Sequence, residues 1–448
     1  MDNLPPQRLD APYPSLQYAA YVIAVLFLIT LFSQLDRQLP ALLVRPIRAQ
    51  FAISDTAFSL LQGYAFSICY TLMGLPLGRM VDRATRRNLI FWGMLFWTAM
   101  TAASAFAGSY TMLFIARMGV GVGEAVLAPA AYSMIADYVA PERRGRALAF
   151  YYTSLAVGSG ASMLLGGWLL GAIPNEGMEL PMLGLLPAWR ICFLAAAAPG
   201  IGLALLLLTV REPVRRELSA KAEACSVGEF LAFLKQHRRT FARLLTYPAL
   251  LAMIGYGMLS WAPALFERRF DMPVSRAGIV LGLIIAAAGL SGTLFSGFLS
   301  DRWLRMKVEA ARFRVALVGT VICAPMAVLW PLAGSATAAF VMLGVSVFGL
   351  SISQAAAPAC IQEVCPNNMR GQAISVYLLI AGLLGIGLGP TLVALVSDHA
   401  FHGGSRLHYA LSATVLPTAL VAIWLCWSGL RPFAVTRNAV RTGSEGRS

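Results

Sequence analysis

Long apolar runs separated by short polar segments dominate the chain. The runs are continuous and rich in Leu, Ala, Gly and Met, and each could cross a hydrocarbon layer of about 30 Å as a helix. A transmembrane barrel would instead show short segments with alternating polar positions. The pattern therefore predicts an all-α membrane protein with twelve spans. We place them at residues 17–44, 57–78, 88–108, 111–136, 145–171, 189–210, 244–267, 275–300, 314–333, 336–361, 371–396 and 408–430.

The longest polar interval, 211–243, divides the twelve spans into six and six. We expect an N-terminal tail at 1–16, a bundle at 17–210, a linker at 211–243, a second bundle at 244–430 and a tail at 431–448. An apolar patch at 230–234 predicts an amphipathic helix in the linker. The two halves echo each other, and such a parallel repeat favours two bundles that rock about a shared central site.

Basic residues concentrate in alternate loops, in the linker and in the C-terminal tail. The loop residues are Arg79, Arg83, Arg86, Arg87, Arg143, Arg144, Arg146, Arg302, Arg305 and Lys307. The positive-inside rule places these loops and both termini in the cytoplasm, so we expect a multi-pass protein of a bacterial inner membrane. The net charge of +14 follows from this topology and from attraction to anionic membrane lipids, so we expect no nucleic-acid partner.

Four charged residues fall well inside predicted spans, away from the span ends: Asp36, Arg37, Arg117 and Glu124. A charge at mid-bilayer costs about 2.5–3.5 kcal/mol, so such residues usually face a partner or a watered cavity. Asp36 and Arg117 lie at similar depths and are predicted to pair, whereas Glu124 has no evident cationic partner. We predict Asp36 and Glu124 as proton-coupling residues and Arg37 and Arg117 as ligands of an anionic head group. The alternative is a static ion-pair network that orients two helices.

Further residues are candidates for the wall of an amphipathic cavity, although each could instead be packing: Gln62, Tyr64, Tyr152, Tyr256, Trp261, Ser353, Gln354 and Tyr377. A second set would form a latch between the halves at the cytoplasmic side: Gly78, Asp82, Arg83, Arg144, Asp301, Arg302 and Arg370. The two aspartates would meet helix N-termini near Gly145 and Gly371, where the helix dipole favours a carboxylate. For the two aspartates we favour the latch, whereas for individual arginines such as Arg83, Arg86 and Arg144 we favour a charge that only sets topology.

Three motifs resemble those of the major facilitator superfamily. They are Gly78-x-x-x-Asp82-Arg83-x-x-Arg86-Arg87, Arg117-x-x-x-Gly121, and the glycines Gly158-x-Gly160 through Gly166-Gly167. Within that superfamily, Asp36-Arg37 together with residues 117–125 and Asp137 resembles the Spinster group, associated with lysophospholipid and sphingosine-phosphate export. The bacterial anion:cation symporters share an Asp-Arg pair in the first helix and a run like 70–78. The resemblance implies a twelve-helix transporter.

Other chemistry has little support in the sequence. The four histidines lie in the linker or the last outer loop, where His399, His402 and His408 are at most a weak metal site. The seven cysteines show no paired spacing, and no phosphate-binding glycine loop of the ATPase type is present. We therefore expect no enzyme activity, no bound metal and no cofactor beyond a proton gradient.

These observations favour a proton-coupled secondary active transporter, working as a monomer, for an amphipathic organic anion such as a lysophospholipid. Three alternatives stay open: a symporter for small organic acids such as sugar acids, a drug or metabolite efflux antiporter, and a non-transporting receptor or scaffold.

Overall fold

A computed structural model describes residues 13–81, 83–174, 176–181, 184–215, 226–366, 369–401 and 406–445. Helices account for nearly all of them. The first half contains α1 (Leu16–Gln38), α2 (Val44–Phe51), α3 (Asp55–Ser59), α4 (Ala65–Val81), α5 (Arg86–Ala105), α6 (Tyr110–Glu124), α7 (Leu127–Tyr138), α8 (Pro141–Ala172) and α9 (Ala188–Leu208). The second half contains α10 (Val227–Gln236), α11 (Arg238–Phe270), α12 (Val274–Arg305), α13 (Ala311–Leu329), α14 (Ala336–Val364), α15 (Arg370–Ala381), α16 (Gly389–Ala400) and α17 (Leu407–Glu445).

Irregular helical turns and one small hairpin complete the chain. The 3₁₀ turns are Leu39–Leu42 and Trp330–Leu332, the π-helical segments are Leu60–Tyr64 and Gly382–Leu388, and the antiparallel strands are β1 (Met178–Leu180) and β2 (Gly184–Leu186). We call the end of the helices that carries β1 and β2 the hairpin end. The opposite end, near residues 209–215 and 226–238, is the linker end.

Within the described residues, ten helical segments are long and apolar enough to cross a membrane. The predicted spans 57–78 and 88–108 are helical, at 55–81 and 86–105, but do not belong to those ten. The helices also overrun the predicted spans, most clearly at α17, which continues to Glu445 instead of ending at 430. It continues because the extension is packed: Phe433 stacks on Phe313 at 4.9 Å, and the hydroxyls of Thr436 and Thr240 are 2.8 Å apart.

The internal repeat extends to individual helix caps. Ser109 and Ser335, 226 residues apart, cap α6 and α14 by accepting hydrogen bonds from the backbone N–H groups of Met112 (3.2 Å) and Ala338 (3.3 Å). Serine suits this position because its hydroxyl accepts from an N–H that has no partner within the helix.

Two arginines cap the other ends of the same pair of spans. Arg144 donates to the carbonyl of Ala136 at 2.8 Å, and Arg370 donates to the carbonyl of Gln362 at 3.1 Å. In each case the acceptor lies eight residues earlier, near the last turn of α7 or of α14. A cation there complements the negative end of the helix dipole.

An ion pair beside these caps also repeats between the halves. Arg86 pairs with Asp137, and 226 residues later Arg312 pairs with Glu363 at 2.7 Å. Arg86 is 1% exposed and also pairs with Glu212 at 2.8 Å. The interpretation of Arg86 as a charge that only sets topology is therefore wrong, because its guanidinium is buried among two carboxylates and the start of the linker.

Candidate functional site

A cavity of about 620 Å³ lies between the two halves. In the described part of the chain its charged wall residues are Arg37 and Glu124, both from the first half. The second half contributes Tyr256, Gln354, Tyr377 and mainly small or apolar side chains. Wall residues toward the linker end include Ser375 and Leu378, which are exposed, so the cavity opens in that direction.

Glu124 is held by α1 across the cavity wall. Its Oε2 atom accepts from Arg37 Nε and from the Ser33 hydroxyl, each at 2.7 Å. The guanidinium carbon of Arg37 also lies 4.6 Å from the ring centroids of both Phe66 and Tyr70. The prediction that Glu124 lacks a cationic partner is therefore wrong. Glu124 is the last residue of α6, where the helix dipole disfavours a carboxylate, so the Arg37 guanidinium offsets that cost.

Asp36 and Arg117 lie behind the wall rather than on it, and both are fully buried. The Asp36 carboxylate accepts from the Thr101 hydroxyl at 3.1 Å, and Arg117 donates to the Asp36 backbone carbonyl at 3.1 Å. The predicted pairing of Asp36 and Arg117 therefore runs through the main chain and not through the carboxylate. Consecutive helical residues point about 100° apart, so Asp36 faces α5 while Arg37 faces the cavity.

Half of the predicted neutral wall residues line the cavity, namely Tyr152, Tyr256, Gln354 and Tyr377. Tyr377 donates its hydroxyl to Gln354 Oε1 at 3.2 Å, and Gln354 Nε2 donates to the carbonyl of Pro248 at 3.1 Å. These bonds fix the amide of Gln354, so the wall of the second half is polar but uncharged at this point.

The other four predicted wall residues do not line the cavity in this conformation. Trp261 is fully buried and donates to the carbonyl of Pro390 at 2.9 Å, and Ser353 is buried with its hydroxyl 3.2 Å from that of Thr320. Gln62 and Tyr64 belong to the π-helical segment 60–64, which packs against the segment 382–388 instead of the cavity. All four are packing residues here because their helices turn these faces toward neighbouring helices.

Sequence reasoning missed a polar stripe along α1. The stripe comprises Thr30, Ser33, Gln34 and Gln38 together with Arg37, which was predicted, and all five line the cavity. Their spacing of i, i+3, i+4, i+7 and i+8 marks one face of a helix and could have been found from the sequence. Tyrosines were missed as well: Tyr70, Tyr132 and Tyr151.

The hairpin end is closed by contacts between the halves. The Asp55 carboxylate, fully buried, accepts two bonds of 2.8 Å from Arg268 in the second half. It also pairs with Arg48 at 2.6 Å. Next to it, Asp398 accepts from the backbone N–H and the hydroxyl of Thr56, at 2.8 and 2.7 Å. We call Asp55, Arg48, Arg268, Thr56 and Asp398 the hairpin-end gate, a feature that the sequence analysis did not predict.

The predicted latch residues at the linker end stand apart in this conformation. A Cβ atom added to Gly78, Gly145 or Gly371 would find no described atom within 4 Å. Arg83, Asp301 and Arg302 are exposed, and Asp82 lies outside the described residues. Arg144 and Arg370 cap helices, as described above. The molecule is thus closed at the hairpin end and open at the linker end.

No cluster of three histidine, cysteine or acidic side chains suited to a metal occurs among the described residues, and His402 lies outside them. Among the described residues, the wall of the central cavity carries one ion pair, several tyrosines and neutral polar groups.

Comparison with known proteins is consistent with this architecture. A model of the Major Facilitator Superfamily matches residues 26–390. An "MFS-type efflux pump" of Mycolicibacterium smegmatis is 27% identical over 409 residues, which cover 90% of this chain and 91% of that protein. "Protein spinster homolog 1" of Homo sapiens is 27% identical over 404 residues (85% and 73%). A "Probable L-galactonate transporter" of Escherichia coli is 23% identical over 395 residues (84% and 83%).

A solved structure also resembles this one over nearly its whole length. It is a bacterial homolog of the human lysosomal transporter Spinster in an inward-facing and unoccupied conformation. The TM-score is 0.78 at 27% identity, and the match covers 96% of this chain and 99% of that one. The resemblance to Spinster proteins seen in the motifs is thereby confirmed.

Proposed function

Because this chain belongs to the Major Facilitator Superfamily, a family of membrane transporters and not of enzymes, we propose that it is a proton-coupled secondary active transporter of an amphipathic organic anion. It works by alternating access between the state described here and one open at the hairpin end.

The observation that carries this proposal is the Arg37–Glu124 ion pair on the cavity wall. Glu124 occupies the Arg37 Nε donor, so a substrate anion competes with Glu124 for the same guanidinium. Protonation of Glu124 removes that competitor and leaves Arg37 free to bind the anion. Proton uptake and anion binding are then linked at one pair of side chains, as coupled transport requires.

The substrate class follows from the unequal halves of the cavity. Its two charged residues belong to the first half. Leu259 and Leu350 of the second half contribute apolar wall, and Leu155 of α8 adds apolar wall from the first half. An anionic head group would meet Arg37, and an apolar tail would lie along these leucines. A lysophospholipid-like molecule satisfies both parts, so we favour it over a small polar acid.

A symporter for small organic acids is the second candidate, supported by the relative named as a probable L-galactonate transporter. In that case Gln34, Gln38 and Gln354 on the cavity wall would bind the hydroxyls of the substrate. An efflux antiporter is the third candidate, supported by the relative named as an efflux pump.

The arrangement that we propose has twelve spans in two six-helix bundles, with residues 55–81 and 86–105 completing the ten apolar segments. Both termini and the linker end face the cytoplasm of a bacterial cell, and the monomer is the functional unit. Asp301, Arg302, Gly78 and Arg83, together with Asp82, form the latch when the hairpin end opens.

A flux assay tests the function. Purified protein in liposomes is screened, under an imposed pH gradient, with labelled lysophospholipid and labelled galactonate. We expect gradient-driven flux of the lysolipid and loss of its dependence on the gradient in Glu124→Gln, because that amide cannot release a proton. Ser159→Ala, a change of a neutral wall residue, is the matched control and should retain coupling.

If the protein transports galactonate in preference to the lysolipid, the symporter for small organic acids becomes the favoured function. Undiminished gradient dependence in Glu124→Gln would remove Glu124 from the coupling mechanism. Absence of flux with every amphipathic and small anion would favour the receptor or scaffold.

A further inference from the structure

A second cavity, of about 570 Å³, lies at the hairpin end and shares no wall residue with the central one. Its wall is formed by Arg45, Arg48, Ala49, Ala52, Ile53, Glu267 and Arg268. Two of the three arginines come from α2 in the first half, and Arg268 comes from α11 in the second. The cavity therefore lies across the closed gate.

Local structure brings these arginines together. Ala52 adopts a left-handed conformation (φ 51°) that ends α2, and Ser54 then caps α3 by accepting from the N–H of Ala57 at 3.1 Å. The tight connection returns the chain beside its own helix, so Arg48 reaches Asp55 and donates to the carbonyl of Ile53 at 3.1 Å.

Positive charge is in excess at this wall. Asp55 lies behind the wall and pairs with Arg48 and Arg268, so three guanidinium groups face two carboxylates, those of Asp55 and Glu267. Arg45 pairs with Glu267 at 3.0 Å, but its side chain is 78% exposed, so most of its donors face solvent. A phosphate group would meet the guanidinium N–H donors of three arginines that are not given to Asp55, Glu267 or the Ile53 carbonyl, and arginine binds phosphate well.

We propose that this cavity is an anion site for a phosphate group, and that an anion bound there helps to hold the hairpin-end gate shut. Arg48 and Arg268 hold the gate shut through Asp55. An anion bound to Arg45 and Arg48 of the first half and to Arg268 of the second contacts both halves at once, so its binding raises the free energy needed to separate the halves. The phosphate belongs either to a lipid head group in the facing leaflet or to free solute.

The binding part of this proposal is independent of the transported substrate, whereas the locking part rests on the alternating access proposed above. Site and function can therefore fail separately. A titration measures binding without flux, and Glu124→Gln should keep the phosphate response even where coupling is lost.

Calorimetric titration of the purified full chain with inorganic phosphate, against chloride at equal ionic strength, tests the site. We expect saturable binding that Arg45→Ala weakens by about tenfold or more, since one of three forks is removed. Arg276→Ala, a change of an exposed arginine in the first turn of α12 and outside the cavity, is the matched control. A loss of phosphate binding in Arg37→Ala would show that the phosphate binds in the central cavity instead. Melting temperatures verify that each variant is folded.

Hydrogen–deuterium exchange of peptides covering residues 54–58 tests the locking. Phosphate should decrease exchange there in the parent protein and have no effect on Arg45→Ala, because the bound anion stabilises the closed gate around Asp55. Nanodiscs of phosphatidylcholine, with and without phosphatidic acid, separate the two sources. A lipid ligand lowers exchange without added phosphate, and a free anion requires the phosphate.

Three results would overturn the site. They are the absence of saturable binding, equal losses of phosphate affinity in Arg45→Ala and Arg276→Ala, and a loss of phosphate affinity only in Arg37→Ala. Saturable binding with unchanged or increased exchange at 54–58 would overturn the locking.

Discussion

At the scale of single residues, Arg37 shows how one side chain can serve two partners in turn. It donates to Glu124 at 2.7 Å, and its guanidinium carbon lies 4.6 Å from the ring centroids of both Phe66 and Tyr70. The rings hold the guanidinium in place by cation–π attraction whether or not Glu124 is charged. Arg37 is therefore positioned for an anion before the anion arrives, which lowers the entropic cost of binding.

Arg86 makes a second residue-scale prediction, because its buried ion pairs lie away from the wall of the central cavity. Asp137→Asn leaves the buried guanidinium with Glu212 as its remaining carboxylate partner. Breaking a buried pair costs about 3 kcal/mol, which corresponds to a fall in melting temperature of about 5 °C. Glu142→Gln, a change of an exposed carboxylate near the same end, is the control and should melt like the parent. Equal melting temperatures for all three proteins would show that the buried network contributes nothing to stability.

At the scale of elements, the halves approach most closely where side chains are absent. A Cβ atom on Gly160 would lie 2.6 Å from the carbonyl oxygen of Gly282, and one on Gly167 would lie 2.6 Å from that of Ser275. These contacts join α8 to α12 nearer the hairpin end. Their position lets the linker end open while the hairpin end stays packed, since small residues permit close helix approach.

The two π-helical segments make a similar contact, which gives an element-scale prediction. A Cβ atom on Gly63 would lie 2.6 Å from the Ile386 carbonyl oxygen and 2.9 Å from that of Gly387. Neither backbone atom can move cheaply, so Gly63→Ala should force the segments apart at a cost of about 1–3 kcal/mol. We expect faster hydrogen–deuterium exchange in peptides covering residues 382–388. Gly202→Ala, where an added Cβ meets open space, is the control. Unchanged exchange in Gly63→Ala would mean that the contact is not tight.

At the scale of the whole molecule, the described state is set by the balance between the two ends. The hairpin end has a buried bidentate ion pair between the halves, whereas the predicted latch residues at the linker end are separated. Alternating access requires the opposite balance in the second state, so weakening the gate should populate that state.

Asp55→Asn tests this balance. The amide keeps the shape of the side chain but removes the charge that holds Arg48 and Arg268, so these arginines repel each other. We expect a membrane-impermeant maleimide, applied to intact cells in phosphate-free buffer, to label a Gln38→Cys variant about tenfold faster. That factor corresponds to about 1.4 kcal/mol. Gln38 is on the central cavity wall and 5% exposed.

Glu267→Gln is the control for this experiment, because the exposed Arg45–Glu267 pair is worth at most about 1 kcal/mol. It should change the labelling rate little. Slower or equal labelling in Asp55→Asn would show that the ion pair does not hold the hairpin end closed.

The sequence by itself determined the class of molecule. Apolar runs of helical length predicted an all-helical membrane protein, and the superfamily and its Spinster-like character followed from loop and helix motifs that the comparisons confirmed. The charges inside the first and fourth spans also pointed to the right helices for the site. Such features are local: the length of a run, its composition and the spacing of a motif are properties of neighbouring residues.

Only the tertiary structure decided which of these side chains meet. Asp36 and Arg37 are adjacent in sequence, yet one contacts α5 and the other lines the cavity. Glu124 pairs with a cation on α1, and Asp55 pairs with Arg268, which lies 213 positions further along the chain. Trp261 and Ser353 turned out to be packing. The rotation of each helix about its axis is set by how all its neighbours pack together, and no single segment contains that information.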